Sequence, residues 1–143
     1  MKKLIFFFFL VFFIISSASA QNIQFWYADV TVSNSLIGTS SIQKAYFFKD
    51  LSSLGKATGF PLGDRPGGGQ KTSYDWRHPV ELTSHMEQIY SIMRRDGFGA
   101  AFVQVSSGTS VGREPYWNYG VYIIWNGITY YDLFTRYDKP VEL

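Results

Sequence analysis

Cysteine is missing from all 143 residues, which excludes disulfides, thiolate nucleophiles and cysteine metal centres at once. Only two histidines occur, His78 and His85, so imidazole-rich metal sites are excluded too. Proline is scarce, with five residues, and three of them fall between positions 61 and 79; long stretches on either side are free to form strands. No apolar run reaches membrane-spanning length. The longest, Leu4–Ile15, has 12 residues, whereas a spanning helix needs about 20. No Asn-x-Ser/Thr acceptor lies beyond residue 20, so N-glycosylation is not expected.

That apolar run follows Lys2 and Lys3 and precedes Ser16-Ser17-Ala18-Ser19-Ala20. A basic start, a short apolar stretch and a small-x-small cleavage pattern make a secretory signal peptide, with the cut expected after Ala20. The chain is therefore expected to be secreted or periplasmic, and bacterial in type, since it is exported without disulfide staples. Removing the first 20 of 143 residues leaves 123, a length suited to one domain and one core. Two of the 13 Lys and Arg leave with them, so 11 basic residues remain against 11 Asp and Glu. A neutral mature chain offers no bulk attraction for nucleic acid or anionic lipid.

The segment Ile23–Val32 is aromatic and β-branched and reads as a strand, with a second from Ile42 to Lys49 after a polar loop around Gly38. Residues 51–78 hold Gly55, Gly59, Pro61, Gly63, Pro66 and Gly67-Gly68-Gly69, and are expected to be one long loop. Pro79 then opens the strongest helical pattern, to Asp96, with Leu82, Met86, Ile89 and Met93 in one stripe. Arg94, Arg95 and Gly97 suit its end. Ala100–Val105 reads as a buried strand. Two more strands, Tyr116–Trp125 and Ile128–Arg136, flank Asn126-Gly127, the preferred pair for a two-residue hairpin turn.

That turn sets a register. Trp125, Ile123, Val121 and Tyr119 oppose Ile128, Tyr130, Asp132 and Phe134 on one face, while Tyr122 opposes Tyr131 on the other. The first face is the more apolar and is expected to meet the helix, leaving the tyrosine-bearing face open. The fold class implied is α+β, an antiparallel sheet of about five strands with one main helix on one face. PAS-like and profilin-like folds have a similar element order, a likeness that names no function.

Motifs for chemistry are weak. Gly108-Thr109-Ser110-Val111-Gly112 matches the hydrolase elbow pattern, but Arg113-Glu114-Pro115 leads to a strand, where an elbow needs a helix. Gly67–Thr72 resembles a phosphate loop without its lysine spacing or flanking elements. Glu81 and His85, four apart on the helix, with His78 nearby, could serve acid–base chemistry, and Asp132 is a carboxylate on the expected core face. A pairing of Asp132 with Asp29 would give a glycosidase-like set. The remaining signal is aromatic: four Trp and ten Tyr exceed the needs of a small core, and Trp76, Tyr116, Trp117, Tyr122 and Tyr131 are the expected exposed set.

These features point to a non-catalytic exported binding protein, such as an inhibitor, immunity factor or envelope recognition module, with a protein or glycan partner and no cofactor or metal. The alternatives are a small envelope hydrolase using His85, Glu81 and Asp132, and a structural component of a surface assembly.

Overall fold

The structure, a computed structural model, describes residues 16–18, 23–34, 38–69, 76–78, 85–112 and 114–143. Its strands are β1 (Ser16–Ala18), β2 (Ile23–Asn34), β3 (Thr39–Phe48), β4 (Ala100–Thr109), β5 (Pro115–Trp125) and β6 (Ile128–Arg136). All pair antiparallel in chain order, β1-β2-β3-β4-β5-β6. Among the described residues two helices, α1 (Leu51–Thr58) and α2 (Met86–Asp96), lie in the β3–β4 connection. The domain is α+β, as its pattern implied.

The β5–β6 hairpin has the expected register pair for pair, from Trp125↔Ile128 through Tyr122↔Tyr131 to Tyr119↔Phe134. Its turn works because Asn126 and Gly127 both take left-handed conformations, φ 52° and 78°. The α2 stripe also holds: Met86, Ile89 and Met93 are buried, and Gly97 (φ 79°) ends the helix by donating its N–H to the Met93 carbonyl at 2.8 Å. Pro79 to Ser84, the expected first turns of this helix, lie outside the described residues.

Two expectations are corrected. The first concerns the stretch expected to be loop from residue 51, where α1 stands instead. Asp50 caps it by accepting from the Ser53 N–H at 2.8 Å, Leu51, Leu54 and Thr58 form its buried stripe, and Gly59 (φ 78°) closes it. Gly55 costs α1 about 1 kcal/mol of propensity against alanine, less than burial of two leucines returns, at roughly 1.5–3 kcal/mol each.

The second concerns the faces. Helix α2 packs on the Tyr122 face, with Ala45, Phe47, Ala101, Val103 and Tyr122. The more apolar face, with Val121, Ile123 and Phe134, is covered by α1, Phe60, Trp76 and the tail around Val141. Both sides of the sheet are therefore cores. Tyrosine carries a polar hydroxyl, but its ring buries as a hydrophobe once that hydroxyl has room. Gly120 supplies that room: a Cβ there would stand 2.8 Å from the Tyr122 hydroxyl.

Beyond Tyr27 only one face of β2 is covered. Ala28, Val30 and Val32 are buried under α2 while Asp29 and Thr31 are exposed, the alternation of a half-buried strand. The β2–β3 hairpin runs on past the core, and Ile42 near its tip is 70 % exposed.

Candidate functional site

The five aromatic residues expected at the surface do not share one. Tyr122 is fully enclosed, with ring contacts to His85 (5.5 Å), Tyr90 (5.6 Å) and Tyr131 (5.1 Å). Trp76 is buried on the opposite side of the sheet, 5.9 Å from Phe134. Tyr116, Trp117 and Tyr131 are half-buried. The excess of aromatics thus goes largely into two cores that replace disulfide stapling.

The polar set also separates. His85 is buried at the start of α2, and desolvation by the surrounding apolar groups lowers its pKa to about 4. Asp132 is buried on the Val121 face, as its register required, and its Oδ1 accepts from the Leu133 N–H at 2.8 Å. The sheet lies between these two groups. His78 is exposed, stacked on Tyr130 at 5.0 Å with Nδ1 3.1 Å from the Thr129 carbonyl. Glu81 lies outside the described residues. Asp29, on β2, is four strand spacings from Asp132 on β6, about 19 Å at ordinary spacing; a glycosidase pair needs roughly 5–9.5 Å. Ser110 sits in the β4–β5 turn, its Oγ accepting from the Glu114 N–H at 3.1 Å, with a strand and no helix following. Among the described residues no three His, Asp or Glu side chains are grouped to hold a metal.

What the chain does bring together lies at the first edge of the sheet. Among the described residues, β1 covers the outer side of β2 only from Ile23 to Phe25. At Thr31 the Gln88 side chain does the work of a neighbouring strand: its Oε1 accepts from the Thr31 N–H at 3.2 Å and its Nε2 donates to the Thr31 carbonyl at 3.1 Å. Both backbone groups of Thr31 therefore point outward, and the alternation of an antiparallel ladder turns those of Tyr27 and Asp29 the same way. Among the described residues no strand covers them.

Trp26 stands beside this edge, half-buried, its ring 5.2 Å from Phe98. Two hollows adjoin it. One, of about 250 Å³, is lined by Trp26, Lys49, Asp96, Gly97 and Phe98; the other, of about 330 Å³, by Ile23, Gln24, Trp26, Lys49 and Ser53. Lys49 is exposed, and Asp96 is held by Arg95 at 2.8 Å. An aromatic wall, a cation and outward backbone groups meet here. Such an arrangement can hydrogen-bond a strand and receive its side chains in pockets on either hand.

No protein-family model, curated protein or solved structure matches the chain.

Proposed function

We propose that this protein is an exported, non-catalytic binding module that accepts an extended polypeptide segment along the outer edge of β2, with the Trp26 cleft as its anchor. The observation that carries this is the coincidence of a strand edge that no described strand covers beyond Phe25 with two hollows that share Trp26 and Lys49. The chain itself supports the choice of ligand. Its own Ser16–Ala18 forms an antiparallel ladder on Ile23–Phe25, so this edge accepts an added strand. Cleavage after Ala20 would remove β1 and bare the edge from Ile23 onward. Main-chain bonds would then supply affinity, and the pockets around Trp26 the selectivity. Tryptophan is also among the residues enriched at interface hot spots.

The test is selection from a displayed library of linear peptides on the chain lacking residues 1–20. Recovered peptides should shift the amide resonances of Tyr27 and Asp29, and Trp26→Ala should weaken them at least tenfold. Peptides that bind the variant equally, or that shift only distant amides, would sink the proposal. Concentration-dependent self-association through the same amides would instead favour a structural role in an assembly.

A further inference from the structure

A third hollow lies between the end of α1 and the segment that follows β6, and shares no lining residue with the two beside Trp26. It encloses about 320 Å³, and its polar lining includes Lys56, Thr58, Gly59, Arg136, Lys139 and Glu142. Three cations share it with one carboxylate. Because 11 basic residues balance 11 acidic ones beyond residue 20, this concentration is local rather than a property of the whole chain.

Arg136 is the built part of the site. Its Nη1 donates to the Thr58 carbonyl at 2.8 Å, which fixes the guanidinium against the end of α1. A guanidinium has five N–H donors in a planar fork suited to two oxygens of a carboxylate or phosphate, and this contact uses one. The neighbouring negative groups do not cancel the field. Asp138 lies 3.9 Å from Arg136 Nε but is 76 % exposed and outside the lining, and water screens such a pair. The helix end contributes roughly half a negative charge, and Arg136 already occupies its last carbonyl. Lys56 and Lys139 are exposed and form no ion pair among the described residues. Like charges held in one hollow repel one another, and an anion placed between them relieves that repulsion.

From this geometry we infer that the hollow between α1 and the post-β6 segment is a binding site for a small ligand carrying two or more anionic oxygen groups. Its size is at the lower end of small-ligand sites, about 300–1,000 Å³, which suits a compact polyanion and not a long chain. Arg136 grips one anionic group as a fork, while Lys56 and Lys139, in the same lining, neutralise the other.

Isothermal titration of the full chain with citrate and, separately, with inorganic pyrophosphate tests this, against sodium chloride at matched ionic strength. A saturable one-to-one signal with either anion supports the site, and the stronger of the two says whether carboxylate or phosphate oxygens are preferred. The doubly substituted Lys56→Gln, Lys139→Gln chain should keep its thermal midpoint, since both side chains are exposed, and should bind at least tenfold more weakly. No saturable signal beyond that of chloride, or equal affinity in the double variant, overturns the inference. Trp26→Ala should leave anion binding unchanged, which separates this result from the fate of the strand-acceptor proposal.

Discussion

Replacing His85 by leucine should remove most of the acid sensitivity of this protein between pH 6.5 and pH 4. In the unfolded chain the imidazole takes up a proton near its ordinary pKa of about 6.5. In the fold, burial holds that step down to about 4. Between those values the unfolded state binds more protons than the native one, so stability rises with pH and is lost as pH falls. The loss comes to about 2 kcal/mol at pH 5 and about 3 kcal/mol at pH 4. His85 is only 4 % exposed, so solvent screening takes little from these figures. Asp50, whose carboxyl is held low chiefly by the Ser53 N–H, adds its own loss only below the ordinary carboxylate range. Urea unfolding followed by tryptophan fluorescence at pH 7, 6, 5 and 4 would read the effect. With a slope of about 1–3 kcal/mol per molar urea, the native midpoint should fall by about 1–3 M across the range. His85→Leu, close to histidine in volume, should fall by far less, whatever its offset at pH 7. Parallel curves for the two proteins would show that His85 protonates freely in the fold, and the argument from its burial under Tyr122 would fail.

Two further outcomes follow from the packing. Gly120→Ala should destabilise by about 1–3 kcal/mol, because the new Cβ would meet the Tyr122 hydroxyl at 2.8 Å and Tyr131 at 3.2 Å, with Tyr122 enclosed and unable to swing aside; a thermal midpoint at or above the native one would contradict this. At alkaline pH, Tyr46, Tyr90, Tyr119 and Tyr131 all have their pKa values raised, first by desolvation. Their stabilising contribution is complete below the unfolded value of about 10 and is lost as pH rises above it. In a spectrophotometric titration, these four of the ten tyrosines should ionise above the ordinary tyrosine range, an outcome excluded if all ten titrate together while the far-ultraviolet circular dichroism stays native.

Local chemistry made much of this fold legible. Asn126-Gly127 specified a turn, the turn specified nine cross-strand pairs, and those pairs correctly put Asp132 on a core face. The α2 stripe could be read because its apolar residues recur at the helical period. Helix α1 was hidden because two serines and Gly55 dilute its pattern, although Asp50 and Gly59 are ordinary caps and Leu51, Leu54 and Thr58 keep helical spacing. The burial of Tyr122 was hidden for another reason. Register says which residues share a face but not what covers that face: α1, illegible in the sequence, takes the Val121 face and leaves α2 for the face of Tyr122. Trp26 escaped notice because a strand residue's parity says nothing about whether its strand lies at the edge of the sheet.

The chain-order sheet also has one seam. Strands β3 and β4 pair only over Ala45–Phe48 and Ala100–Val103, and the chain between them is by far the longest connection in the fold. Closing it costs the most loop entropy, for four register pairs in return. Both helices belong to that connection and they reach across the join from opposite sides: α1 touches β2, β3 and β4, while α2 rests on β4 and β5 and sends Gln88 over to β2. Two ribbons, each able to zip locally, are thus clasped by the same length of chain that keeps them apart in sequence. Mechanical or thermal opening should begin where that clasp lets go, with the strands within each ribbon still paired.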